Sequence, residues 1–420
     1  MSIHHIIRRL LNVPNWYYLM LAGLVLGASF VTLTPKHNDF QIYYEAAHSV
    51  QQTGNPYTQA PAYIYPPLLA YLIQPIAVLP PFTAQRLWFA INTALLGVLL
   101  AISLKQCAAP AIQARWGLVV FAVVLAPPTI LCLQLGQLGI VMAVLLIAIY
   151  SMRQRTMAVS FVFAVACLLK LYPALLGVFF LRRRSWSVLV GGSMAAFGIV
   201  LVHIALAGSE PYQRYLSNPF PRSAFPAEAE FNISLYGFWF RLLTTNAYAI
   251  SVMHFPFLAI LLTCLTSVAI VGIGLWLTMH AQAVDEALIF SLWLTVICLV
   301  APINGYYNLS LMLVPVLALL RHLRKRPSPR LSQALLVATL LLMIPPNWNT
   351  SVEWLYTSVH SGWGVLVLTP SLYGLLIYYS ILVVVIHRMR NTRDQRSEAS
   401  SSIMESNKVR AIAYSSPNAE

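Results

Sequence analysis

Long apolar runs separated by short polar stretches dominate the chain. They fall at roughly 16–34, 84–105, 115–133, 137–152, 157–169, 172–182, 186–207, 250–279, 287–303, 306–321, 331–346 and 364–387. A helix that crosses a bilayer needs about 20 apolar residues, and in lipid only structures that satisfy their own backbone groups are viable. The pattern therefore predicts an all-α, polytopic integral membrane protein with about 12 membrane segments. The runs 157–169 and 172–182 are each too short to cross alone. Between them lies Lys170-Leu171-Tyr172-Pro173, where the proline favours a break. One continuous helix would put Arg153 and Arg155 on the opposite face from Arg182-Arg183-Arg184. A hairpin puts both clusters on one face, and the bias of basic residues toward the cytoplasmic side selects the hairpin.

With that split, every dense basic cluster shares a face: Arg8-Arg9, Lys105 with Arg115, Arg153 with Arg155, Arg182-Arg183-Arg184, Arg321 through Arg330, and Arg388 through Arg396. This face is expected to be cytoplasmic, with both termini. Lys36, Arg86, Lys170, Arg214, Arg222 and Arg241 fall on the other face. Residues 1–390 are expected to form the membrane domain, and the Ser-rich, charged stretch 391–420 a disordered tail. The outer connections 35–83, 208–249 and 347–363 are long and the inner ones short, so function is expected outside. Apolar and aromatic residues at helical spacing over 39–52 predict an amphipathic helix along the surface. Gly54-Asn55-Pro56-Tyr57 predicts a turn, and the apolar stretch after Tyr65-Pro66-Pro67 is placed in the interface.

Composition agrees. The chain is 59% hydrophobic and 9% charged, against about 25% charged in a soluble domain. The net charge of +14 is not gathered into a stripe interleaved with aromatics, so the partner is the lipid bilayer and no nucleic acid is expected. Cys107, Cys132, Cys167, Cys264 and Cys298 lack metal-like spacing and read as packing residues; neither a metal nor a cofactor is expected. Arg8-Arg9 before an apolar run resembles a signal peptide without a clean cleavage site, which predicts a retained anchor. Tight loops and the absence of a disulfide framework suit a bacterial inner membrane.

Only 12 residues are acidic, and Asp39 stands out among them. It follows directly on the first apolar run and opens Asn38-Asp39-Phe40-Gln41-Ile42-Tyr43-Tyr44-Glu45. A carboxylate held where hydrocarbon meets water is costly and reads as a functional site. Lys170 is the matching cation. The helix before it rises about 20 Å, so its ammonium is held near the outer boundary, as an anion site for a phosphate or as a snorkelling side chain. Tyr43, Tyr44, Tyr57, Tyr63, Tyr65, Tyr306 and Tyr307 form an interfacial aromatic belt or stack on sugar rings. Gln137 hydrogen-bonds a sugar or caps a helix. Arg214, Arg222 and Arg241 bind a phosphate or an acidic acceptor or anchor the chain at the interface, and His37 is a candidate for tuning Asp39.

Asn38-Asp39-Phe40, Tyr44, Ala47, Gly54-Asn55-Pro56-Tyr57, Tyr65-Pro66-Pro67, Pro75, Leu79-Pro80, Leu87-Trp88 and Asn92, followed by Gly136-Gln137 and Lys170-Leu171-Tyr172-Pro173, resemble in their order the signature of glycosyltransferase family 87. The resemblance covers about residues 35–185. It implies a GT-C-type fold with interfacial helices in a long first outer loop, and transfer of a hexose, mannose by family default, from a polyprenyl-phosphate donor. The acceptor would be a hydroxyl of a glycolipid or glycan at the outer face. It implies Asp39 as general base, inversion in a single displacement, and Lys170 with Tyr172 at the donor phosphate. Tyr44, Tyr57, Tyr65, Gln137, Asn304, Tyr307 and Arg214 are then the substrate-binding candidates. Where the family often carries Ser-Pro followed by Trp and His, this chain has Ala301-Pro302-Ile303-Asn304-Gly305-Tyr306-Tyr307-Asn308, in which Tyr307 and Asn308 hydrogen-bond but cannot serve as cationic partners. The alternative is a flippase or secondary transporter for a lipid-linked sugar; the absence of an internal repeat speaks against it.

Overall fold

The computed structural model describes residues 13–34, 38–217, 228–281, 284–346, 348–349 and 353–391. Arg8-Arg9, Lys36, His37, Arg222 and the tail beyond Asn391 lie outside the described residues. Among the described residues the chain is all-helical, with two isolated bridges and no strand. Every predicted apolar run contains helix. Among the described residues, five helices are long and apolar enough to cross a bilayer: Pro81–Cys107, Trp186–Ala207, Pro256–His280, Tyr306–Lys325 and Pro370–Asn391. A sixth crossing forms if Trp116–Leu125 and Pro127–Leu135 count together. The other apolar helices are shorter, so the chain is a multi-pass membrane protein with five or six full-length crossings by this measure.

Proline sets many of the boundaries. It opens Pro67–Ala77, Pro81–Cys107, Pro127–Leu135, Pro256–His280 and Pro329–Met343, where its missing N–H costs nothing and its fixed φ suits the first turn. The run 115–133, continuous in the sequence pattern, bends by 61°. Ala126, forced out of the helical region by the proline after it, is extended there at φ −61°, ψ 127°.

Position follows from which faces are apolar. Ala287 through Leu299 of Glu286–Val300 are all buried, so this helix is central. Trp186–Ala207 and Pro256–His280 are apolar all round yet expose Phe197, Leu206 and Val268, as helices facing lipid do.

Arg153, Arg183 and Arg321, from three of the basic clusters, meet the start of Glu286–Val300. The Glu286 carboxylate accepts from Arg153 at 2.6 Å and from Arg183 at 3.0 Å. Asp285 accepts from Arg321 at 2.6 Å and caps its own helix through the Ala287 N–H. One glutamate joining Arg153 and Arg183 makes the segment between them a hairpin, up along Thr156–Leu169 and back along Tyr172–Arg182. The turn of that hairpin, at Lys170, lies at the opposite end.

The expected amphipathic helix forms as Asp39–Thr53 and buries Phe40, Tyr43, Ala46, Ala47 and Val50. It packs against Pro67–Ala77. Gly54, at φ 74°, ends it, and the Asn55 side chain then donates to Glu210 at 3.0 Å. Arg241 departs from its expected role. It is fully buried and donates to the backbone carbonyls of Ala229 at 2.7 Å and Asn232 at 3.0 Å. It clamps a loop instead of facing a ligand.

Candidate active site

Asp39 is the first residue of its helix. The Asn38 side chain caps that helix by accepting the Gln41 N–H at 2.9 Å, which turns the chain so that Asp39 sits at the positive end of the helix dipole. Its carboxylate accepts from the Gln137 amide Nε2. The Gln137 Oε1 in turn accepts from the Tyr43 hydroxyl at 2.9 Å, and the Tyr43 hydroxyl lies 3.2 Å from that of Tyr65. Tyr43 stands one helical turn beyond Asp39, so both face the same way.

Gln137 reaches this place because its neighbour is glycine. Gly136 adopts φ 67° and closes Pro127–Leu135. A Cβ there would stand 2.6 Å from Phe40 Cβ. The Gly136 carbonyl accepts from Trp88 Nε1 at 2.7 Å, and Trp88 stacks on Phe40 with centroids 5.8 Å apart. Gln137 therefore does not cap a helix; it lies in the break before Gly139–Ser151 and serves Asp39. Gly139 allows a second close approach, since a Cβ there would meet the Tyr307 carbonyl at 2.6 Å.

Lys170 occupies the hairpin turn, with extended backbone at φ −147°, ψ 142°. Its ammonium lies 5.4 Å from the Tyr65 ring centroid, 5.7 Å from that of Tyr172 and 6.0 Å from that of Tyr307. Aromatic faces attract a cation without neutralising it, and among the described residues Lys170 forms no ion pair. Its charge and that of Asp39 act on each other. Burial raises the Asp39 carboxyl above its ordinary value of 3.8; the Gln137 hydrogen bond and the Lys170 charge pull it back. A cavity of about 400 Å3 opens beside Lys170, lined also by Tyr65, Tyr172, Tyr215 and Tyr307 and by aliphatic groups including Leu171, Leu175 and Ile303. A second recess of about 290 Å3 flanks the start of the Asp39 helix, between Asn38, Gln41, Tyr44, Glu45 and Gln85. A larger cavity of about 670 Å3 lies between the bent pair and Leu313–Lys325. Its only polar lining is Thr129, Ser310 and Thr339, so it offers nothing to hold a charge.

Asp39, Gln137, Tyr65, Tyr172, Tyr307 and Lys170 thus come together. The remaining candidates lie around them. The Tyr44 hydroxyl donates to the Leu79 carbonyl at 3.0 Å, and that of Tyr57 to the Tyr65 carbonyl at 2.7 Å. Asn304 is buried in its own turn, donating to the Cys298 carbonyl at 2.6 Å and accepting from Asn308 at 3.0 Å. Arg214 is exposed and pairs with Glu210 at 3.8 Å. Tyr43, Tyr63, Tyr306 and Tyr307 are buried within the protein, not spread along an interfacial belt. Tyr43 was legible as a partner of Asp39 only through its four-residue spacing. Trp88 and Phe40 carried no polar signal that would reveal them as the clamp on Gly136.

The sequence profile of glycosyltransferase family 87 matches residues 63–302, a stretch that contains Gln137, Lys170 and Tyr172 and begins after Asp39. No curated protein matches the sequence.

Proposed function

The chain belongs to glycosyltransferase family 87, and from that premise we propose that it moves a hexose from a polyprenyl-phosphate donor to an acceptor hydroxyl in one inverting displacement. The observation that carries this reading is the meeting of Asp39 and Lys170 at one site, joined through Gln137, Tyr43 and Tyr65. Asp39 takes the proton of the acceptor hydroxyl as its oxygen bonds to the anomeric carbon. The bond from that carbon to the phosphate oxygen breaks, and its electron pair stays on the lipid phosphate. General-base help of this kind supplies about 10²–10⁴-fold. Lys170, with Tyr172 beside it, stabilises the charge gathering on the departing phosphate. The aliphatic side of the Lys170 cavity suits the first isoprene units, and Tyr65 and Tyr307 offer faces to the sugar. Mannose is the family default for that sugar, and a glycolipid or glycan the acceptor.

The accompanying topology has about twelve membrane segments, seven or so of them short or re-entrant, with both termini cytoplasmic and the Asp39 end at the outer face of a bacterial inner membrane. Residues 1–390 form the catalytic membrane domain, followed by the tail 391–420. The test uses purified enzyme in proteoliposomes, a polyprenyl-phosphate-mannose donor and lipid extract as acceptor. Asp39→Asn preserves shape and removes the base, so the glycosidic product should fall at least about a hundredfold while donor binding persists. Wild-type turnover by Asp39→Asn would sink the assignment. Movement of donor across the bilayer without any glycosidic bond would favour the transporter instead.

A further inference from the structure

We propose that Gln137 is a positioning residue for Asp39: its amide, pinned by Tyr43, holds the carboxylate in a single orientation and keeps it in the form that accepts a proton. The inference rests on the reading of Asp39 as general base and adds the group that makes it one.

The backbone of Gln137 cannot drift. Its N–H donates to the Cys132 carbonyl at 2.9 Å, and the preceding carbonyl is held by Trp88 at 2.7 Å. Its side chain cannot turn over either. A carboxylate only accepts hydrogen bonds and an amide N–H only donates them, so the two ends of the glutamine are not interchangeable. Oε1 is fixed by the Tyr43 hydroxyl at 2.9 Å. Burial pushes the pKa of that hydroxyl well above its ordinary value, so it remains an O–H donor. Flipping the amide would set Oε1 against a carboxylate oxygen, two acceptors with no hydrogen between them. Nε2 therefore faces Asp39 Oδ2 and leaves Oδ1 to meet a substrate.

The groups that act on Asp39 come from several elements: Tyr43 on its own helix, Tyr65 on the following loop, Cys132 on the bent pair, Lys170 at the hairpin turn and Tyr307 beyond the central helix. Lys170 attracts the carboxylate without directing it. Among the described residues Gln137 alone hydrogen-bonds its side chain, so Gln137 alone sets its direction. A donor aimed at a carboxylate favours the charged form, which a base must have and an acid must not.

The experiment follows the Asp39 carboxyl by infrared difference titration of the whole protein in detergent, its band assigned by its disappearance in Asp39→Asn. Gln137→Leu should raise the midpoint by about one to two pH units. Gln137→Glu should raise it further, because two carboxyl groups sharing one site hold a proton between them. Tyr43→Phe, which unpins the amide without removing it, should give a smaller shift. With polyprenyl-phosphate-mannose as donor, the acidic limb of the rate profile should move by the same amount, with kcat falling more than KM rises. An unmoved midpoint in Gln137→Glu and Tyr43→Phe, both close in size to the parent residues, would overturn the proposal even if Gln137→Leu fails to fold. The titration needs no turnover, so it stands apart from the Asp39→Asn rate that tests the base itself.

Discussion

Gly136→Ala examines the whole chain of contacts behind the site. Gly136 holds φ 67°, and an L residue in that region is strained by about 1–2 kcal/mol. The added Cβ would stand 2.6 Å from Phe40 Cβ and 3.1 Å from Trp88 Cδ1. Phe40 Cβ is tied to the backbone and cannot swing aside as the end of a long side chain would. Overpacking of this kind costs about 1–3 kcal/mol, so the variant should lose about 2–5 kcal/mol of stability. The relief must come from separating the 136–137 segment from the start of Asp39–Thr53, which is the contact that sets Gln137 against Asp39. A displacement of about 1 Å there should lower turnover by about a hundredfold. The assay pairs an unfolding midpoint in detergent, followed by tryptophan fluorescence, with product formation in proteoliposomes. Gly97→Ala is the control: Gly97 lies in Pro81–Cys107 with nothing within 4 Å of the added atom, and it should leave both readings near wild type. If Gly136→Ala melts and turns over like Gly97→Ala, the close approach of these two segments does not govern the site.

Three more outcomes follow from the same contacts. Because burial raises the Asp39 carboxyl above 3.8, the folded state binds that proton more tightly than the unfolded one. The resulting stability is full below pH 3.8 and is lost as pH rises through the raised value; Asp39→Asn should remove this slope from unfolding midpoints measured across acidic pH. Lys170→Met should weaken donor binding about tenfold to a hundredfold, read by calorimetric titration with polyprenyl-phosphate-mannose, while equal affinity would remove Lys170 from the phosphate. Arg241, its ordinary value lowered by burial to about 10, still carries its charge at neutral pH. Arg241→Met leaves the Ala229 and Asn232 carbonyls without that donor and should cost more than about 2 kcal/mol, with faster proteolysis near 228–255.

The hairpin at Lys170 was legible from charge, with Pro173 marking the break. Arg153 and Arg183 had to share a face, and in the structure they share the Glu286 carboxylate. The Asp39–Thr53 helix was legible from its apolar spacing, and its end from Gly54. The bend at Ala126-Pro127 was hidden, because a proline inside an apolar run is compatible with a kink, a break or a surviving span. The roles of the arginines were hidden as well. Charge signals only that a group needs a partner, and for Arg241 the partners are backbone carbonyls, which every residue possesses.

Sequence by itself determined the class of the molecule, its orientation-setting charge asymmetry and the rarity of Asp39 and Lys170 in so apolar a chain. Those follow from hydropathy and charge, which are properties of single residues and their near neighbours. Which tyrosines turn inward, which amide meets the carboxylate and how close two distant segments come were decided by tertiary structure. Gln137 and Asp39 lie 98 positions apart, and no local pattern encodes a contact whose geometry depends on a glycine in a left-handed turn beneath two stacked rings.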